Sequence, residues 1–176
     1  MRLLARKGPT SDQLLLQRLQ KGDGDAWNEF LHGVHGTRLY NHLRYRLPEP
    51  QDVEDVLNET MLAAVQALQN FDGTVKLSTF LFSLANRKIA DFWRRRPATS
   101  ELTDRVVSIP GMGPESIEFL EMLYRLKDEH RQVLLMRYHI GLGVDEIAHI
   151  LGKTYRGAES LLSRARSELR DAMGAS

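Results

Sequence analysis

Cysteine is absent from all 176 residues, which removes disulfides and thiolate metal ligands from consideration. Long apolar runs are missing too: none approaches the ~20 residues that a bilayer-spanning helix requires. The basic start, Met1-Arg2-Leu3-Leu4-Ala5-Arg6-Lys7, is not followed by a signal-peptide core, so a cytoplasmic protein without membrane insertion is expected. No strand-like alternation of any length and no internal repeat is visible. Catalytic constellations are equally scarce. The chain has no Gly-rich phosphate loop and no nucleophile elbow. His32 and His35 stand three apart, but no carboxylate at fixed helical spacing completes a ligand set. The expectation is a non-enzyme with no cofactor, no catalytic residue and no metal site.

What remains is a soluble globular composition, 42% hydrophobic and 27% charged. The net charge of +1 conceals an uneven distribution. Glu49, Asp52, Glu54, Asp55 and Glu59 fall between Pro48 and Thr60 with no base among them. Between Lys76 and Pro97 the balance reverses: Lys76, Arg87, Lys88, Arg94, Arg95 and Arg96 meet one acid, Asp91. An acidic patch beside a basic one implies two different partners, the basic one suited to phosphate.

Helical periodicity accounts for nearly everything else. Thr10 and Gln13 make a capping-box pattern that opens a helix carrying Leu14, Leu15 and Leu19 and stops at Gly22-Asp23-Gly24. Asp25 is the expected cap of the next helix, with Trp27, Phe30, Leu31 and Val34 at helical spacing. Tyr40, Leu43 and Leu47 continue it, and Gly33 and Gly36 mark a break or a close approach. Asp52 with Asp55 starts a third helix with Val53, Val56, Leu57, Thr60, Met61, Ala64 and Leu68 on one face. After the turn Asp72-Gly73, Ser78 is the expected cap of a fourth helix, in which Phe82, Ala85, Ile89 and Phe92 form the core stripe. Asn86, Arg87, Lys88, Trp93 and Arg94 lie outside that stripe. Arginines hold phosphate oxygens and an aromatic beside them stacks on an unpaired base, so this helix suits partly single-stranded DNA. The competing reading makes Trp93 a core plug and Arg94 to Arg96 a solubilising helix end.

Periodicity then disappears around Pro110-Gly111-Met112-Gly113-Pro114, which reads as an interdomain linker over 98–115. Helices follow over 118–126 and 132–138. In Val144 to Thr154, Ile147, Ala148 and Leu151 repeat at helical spacing with Asp145 and Glu146 in the first turn, and Gly152 ends the helix. A second pattern, Ala158, Leu161, Leu162, Ala165 and Leu169, carries Arg156, Glu159, Ser160, Ser163, Arg164 and Arg166 on its other faces. Together they read as a helix-turn-helix rather than a plain helical hairpin.

These stretches in their order resemble a known family. Asp52-Val53-Glu54-Asp55-Val56-Leu57-Asn58-Glu59-Thr60-Met61-Leu62, Phe71-Asp72, and Phe80-Leu81 through Asp91-Phe92-Trp93-Arg94-Arg95 resemble region 2 of bacterial RNA polymerase sigma factors. The tail from Leu126 to Leu169, with Glu146-Ile147-Ala148 and Ser163-Arg164-Ala165-Arg166, resembles their region 4. Two regions with a short linker and no region 3 are the layout of the extracytoplasmic-function subfamily. The resemblance implies an all-α protein of two small domains, a region 2 bundle over 10–97 and a region 4 helix-turn-helix over 116–174. It implies docking of Asp52, Asp55, Asn58 and Glu59 on core RNA polymerase. It also implies that Asp72, Gly73, Lys76, Ser78, Asn86, Arg87, Lys88, Trp93 and Arg94 open and read the −10 element of promoter DNA. Lys153, Arg156, Glu159, Ser160, Ser163 and Arg164 would read the −35 element. An anti-sigma factor is implied as a further partner. Asn58, Arg87, Glu159 and Ser160 depart from residues common in the family, which leaves base preference open. The alternative is a free-standing helix-turn-helix regulator binding duplex DNA, which leaves the acidic and the aromatic-basic helices without work. An enzyme with a DNA-binding tail is the third reading, and it lacks a catalytic constellation.

Overall fold

The structure, a computed structural model, describes residues 10–96 and 121–174. Among the described residues the first domain holds five helices: α1 (Ser11–Gln20), α2 (Gly24–His32), α3 (Val34–Arg44), α4 (Pro50–Leu68) and α5 (Leu77–Arg95). The second begins with a helical stretch at 121–125 and continues with α6 (Asp128–Leu134), which runs into a π turn (Leu135–His139). It closes with α7 (Val144–Ile150) and α8 (Tyr155–Gly174). No strand occurs among the described residues. The linker expected over 98–115 lies outside them.

Local chemistry explains most boundaries, and several differ from expectation. The capping box at α1 forms as expected: Thr10 Oγ1 accepts from the Gln13 N–H at 3.3 Å and Gln13 Oε1 accepts from the Thr10 N–H at 2.8 Å. At α2 the cap is Asp23, not Asp25, its Oδ1 accepting from the Asp25 and Ala26 N–H groups at 3.0 and 3.1 Å. Asp25 sits inside the first turn instead. Gly33 ends α2 and begins α3, and a Cβ on Gly36 would stand 1.8 Å from the Leu31 carbonyl oxygen. The expected break is therefore real and permits a tight corner. The third expected helix starts earlier than Asp52: Pro50 occupies the first turn of α4, where its missing N–H costs nothing. Ser78 does not cap α5, because the helix already begins at Leu77. The Leu77 N–H is taken at 2.9 Å by Asp12 Oδ2, reaching over from α1.

The apolar stripes bury as their spacing dictates. Val53, Val56, Thr60, Ala64 and Leu68 of α4 face Phe82, Ala85 and Ile89 of α5, all buried. Thr60 is tolerated there because its hydroxyl donates to the Val56 carbonyl at 2.7 Å. Each fully buried Leu, Ile or Phe stabilises by about 2 to 3 kcal/mol. In the second domain Ala158, Leu161, Leu162 and Ala165 of α8 pack over Ile147 and Ala148 of α7. Gly152 (φ +62°) closes α7 in a Schellman motif, with Lys153 N–H donating to the Ala148 carbonyl at 2.8 Å and Gly152 N–H to His149 at 3.2 Å. The buried residues of both domains join in one contiguous apolar cluster.

Candidate functional site

Three surfaces stand on this scaffold. On α4, positions 55, 58, 62 and 65 share a face because three- and four-residue steps return to the same side of a helix. Asp55 and Asn58 are exposed there, and so are Leu62 (61%) and Val65 (38%). The two apolar residues were missed in the sequence, where an apolar position on α4 reads as core. Asp52 and Glu59 lie on the flank towards α5 and are engaged within the domain. Arg96 Nη2 holds both Asp52 oxygens at 2.9 Å and stacks over Phe92 at 4.4 Å. Glu59 pairs with Lys88 at 3.4 Å and with Arg95 at 3.6 Å. The acidic and basic runs are thus partly each other's counterions, and Asp55 is a more open carboxylate than Asp52 or Glu59.

The second surface joins the loop before α5 to that helix. Asp72 Oδ1 accepts from the Thr74 N–H at 3.0 Å, which holds its carboxyl below the usual carboxylate range, and Gly73 takes φ +74° in the same turn. A cleft of about 190 Å³ opens between this loop and α1, lined by Thr10, Asp12, Gln13, Gly73, Thr74 and Lys76 among others. The α1 residues in that lining were also missed, since sixty residues of sequence separate them from the loop. On α5, Arg87 and Arg94 are exposed, and Lys88 is part-buried beside Glu59. Trp93 is half-buried and meets Phe92 edge to face at 5.2 Å, so it packs against the core while part of it stays open to solvent. Ser78 is buried, and Asn86 accepts a hydrogen bond from Gln132 Nε2 at 2.8 Å. Ser78 and Asn86 therefore face the second domain.

That contact centres on Glu146, the third residue of α7 and only 8% exposed. Its Oε1 accepts from the Ser78 and Thr79 hydroxyls at 3.1 and 3.0 Å. Its Oε2 accepts from the Gly143 N–H at 2.9 Å and lies 3.3 Å from Lys76 Nζ. Burial alone would raise its pKa, but the Gly143 N–H, the Thr79 hydroxyl, the Lys76 charge and the Ser78 hydroxyl outweigh it and hold the group below its ordinary value. Further along the seam, Arg38 donates to the Ile140 carbonyl and Tyr45 meets His139 edge to face at 4.8 Å.

The third surface is the outer side of the helix-turn-helix. Lys153, Arg156, Glu159, Ser160, Ser163 and Arg164 are all exposed, while the alternate face of α8 is buried. Lys153 reaches back to Glu129 at 2.9 Å, and Thr154 Oγ1 accepts from the Gly157 N–H at 3.1 Å to fix the start of α8. His130 Nδ1 pairs with Glu168 and ties α6 to α8. Among the described residues no three His, Asp or Glu side chains converge as a metal site, and no helix is long and apolar enough to cross a membrane.

A helical bundle followed by a helix-turn-helix with an exposed polar outer face is the architecture of sigma-70-type initiation factors. Residues 31–99 match the family model of Sigma-70 region 2 and residues 116–169 that of Sigma-70, region 4. The ECF RNA polymerase sigma factor ShbA of Streptomyces griseus is 30% identical, over 89% of this chain and 92% of ShbA. The structure of CnrH in complex with the cytosolic domain of CnrY superposes with a TM-score of 0.74 at 24% identity, covering 94% of this chain and 99% of that one. The sigma factor RpoE in complex with the anti-sigma factor NepR from Bartonella quintana gives a TM-score of 0.71 at 20% identity, covering 85% and 97%. The chain belongs to the extracytoplasmic-function RNA polymerase sigma factors. These are non-enzymatic factors that bring core RNA polymerase to promoters for transcription initiation.

Proposed function

We propose that the three surfaces divide the work of initiation as follows. The open face of α4, Asp55 and Asn58 with Leu62 and Val65, docks on core polymerase, while Asp52 and Glu59 contribute charge at its edge. A carboxylate on the same helix face as two exposed apolar residues suits a partner surface that is basic at one end and apolar further along. The loop and helix carrying Asp72, Gly73, Lys76, Ser78, Asn86, Arg87, Lys88, Trp93 and Arg94 open the −10 element. A base that leaves the stack costs a few kcal/mol, offset by the cleft beside Gly73, by stacking and by phosphate contacts. Lys153, Arg156, Glu159, Ser160, Ser163 and Arg164 read the −35 element in the major groove. There Arg suits guanine and Glu accepts from cytosine.

The single observation that carries this division is the exposure pattern of α8. Five candidate DNA contacts on this helix, and Lys153 in the turn before it, are all open to solvent while the helix's other face is buried. The domain limits belong to the same reading: 10–97, a linker over 98–115, and 116–174. So does a cytoplasmic location, where polymerase and promoters are. An anti-sigma factor is a further proposed partner, by analogy with the complex of RpoE with NepR.

Two substitutions test the division. Asp55→Lys is expected to weaken binding of core polymerase roughly tenfold or more in a fluorescence titration, with promoter contacts of the second domain unaffected. Arg164→Ala is expected to cost about 1 to 3 kcal/mol of −35 binding while core polymerase binds normally. An undisturbed holoenzyme with Asp55→Lys would show that α4 does not dock there.

A further inference from the structure

The residues assigned to the −10 element and the residues that join the two domains are partly the same. Lys76 and Ser78 are held by Glu146, and Asn86 by Gln132, each across the seam. We propose that Glu146 is an intramolecular latch, closing the second domain over the −10 reading elements and leaving the −35 reading face of α8 open. This rests on the assignment of the −10 surface given above.

The chemistry of the contact argues for a device rather than an accidental touch. A carboxylate offers two oxygens, and both are used twice: one by two hydroxyls, the other by its own helix start and by an ammonium. These partners, a pair of hydroxyls and a Lys beside the first turn of α5, are also what a DNA phosphate would take. Glu146 therefore occupies, as an anion of the same chain, a place that the promoter backbone would compete for. Arg87 and Arg94 on the open part of α5, and the whole outer face of α8, stay accessible in the closed form. The free protein is thus ready for duplex −35 DNA and unready for the −10 strand. Docking of the first domain on polymerase is the event placed to separate the two.

The latch can be weakened without touching the proposed DNA contacts. Glu146→Gln keeps an amide oxygen for the Gly143 N–H and so preserves the start of α7, but loses the charge facing Lys76. Gln132→Leu removes the hydrogen bond to Asn86 from the second-domain side and leaves the proposed DNA surface itself unaltered. Because the chain has no cysteine, Gln66→Cys and Ser167→Cys, both at exposed positions, allow a dye pair to report the separation of the domains in the full-length protein.

In the wild type a single high-transfer population is expected. The double variant Glu146→Gln/Gln132→Leu is expected to populate a low-transfer state and to bind the single-stranded non-template −10 segment of a promoter mapped by run-off transcription roughly tenfold more tightly, since apparent affinity scales with the competent fraction. Binding to a −35 duplex should not change. Glu146→Gln alone serves as the second variant, with a smaller shift in the same direction. A wild type already in the low-transfer state, or a variant that opens without gaining single-strand affinity, would overturn the latch. If the wild-type holoenzyme itself does not bind the −10 strand, the underlying surface assignment fails instead, and the transfer measurement still reads the closure by itself.

Discussion

His42 is the residue whose chemistry is least accommodated by the fold. It is 2% exposed, its ring meets Phe82 edge to face at 5.2 Å, and neither ring nitrogen has a hydrogen-bond partner among the described residues. Burial, and after it the charge of Arg46, pushes its pKa down to about 3. A base with a depressed folded pKa takes a proton in the unfolded chain first. Stability is therefore intact above pH ~6.5 and lost as pH falls from there towards the folded value. By pH 5 the loss from this one group is about 2 kcal/mol relative to pH 7.5. His42→Leu removes the term, and thermal melting should show the gain in Tm at pH 5 exceeding that at pH 7.5 by roughly 4 to 8 °C. Equal gains at both pH values would mean that the ring is solvated or paired. The pattern of the sequence marks position 42 only as an interior helical site. That its occupant is an unpartnered imidazole emerges from packing against α5, forty residues away.

At the scale of the element, the helix spines were legible and their starting points were not. The stripes on α4, α5, α7 and α8 turned inward where 3.6-residue spacing put them, with Leu57, Met61, Phe92, Leu151 and Leu169 only partly buried, because an amphipathic face has one way to leave water. The starts moved, because a cap is decided by whichever acceptor is nearest in space. Asp12 of α1 serves Leu77, and Asp23 serves α2 in place of Asp25. The corner between α2 and α3 is the element most sensitive to a single methyl. Gly36→Ala would drive a Cβ against the Leu31 backbone and should cost about 1 to 3 kcal/mol in chemical denaturation, with m unchanged. A neutral effect would show that the corner can widen. The open face of α4 responds the other way. Leu62→Asp should leave stability within about 0.5 kcal/mol and still weaken the polymerase complex, since the side chain is 61% exposed. Its exposure was hidden in the sequence by its ordinary helical company, Met61 and Ala64.

At the scale of the molecule, the acidic run and the basic run announce two partners, and the fold shows that they first meet each other through Asp52–Arg96 and Glu59–Lys88. The packing of one domain on the other could not be read from periodicity. Glu146 reads as a dipole-favoured acid in a first turn, and only the folded chain brings Ser78 and Thr79, nearly seventy residues away, onto its carboxylate. As those of a sigma factor, these two joined domains together give polymerase a promoter. Run-off transcription with sigma-free core enzyme on genomic fragments, with start sites mapped, reads that out. The expected result is a set of starts at a fixed distance downstream of one shared pair of −35 and −10 sequences, depleted by Arg164→Ala and by Asp55→Lys. Transcripts no different from those of core enzyme alone, with the added protein folded and in excess, would contradict it.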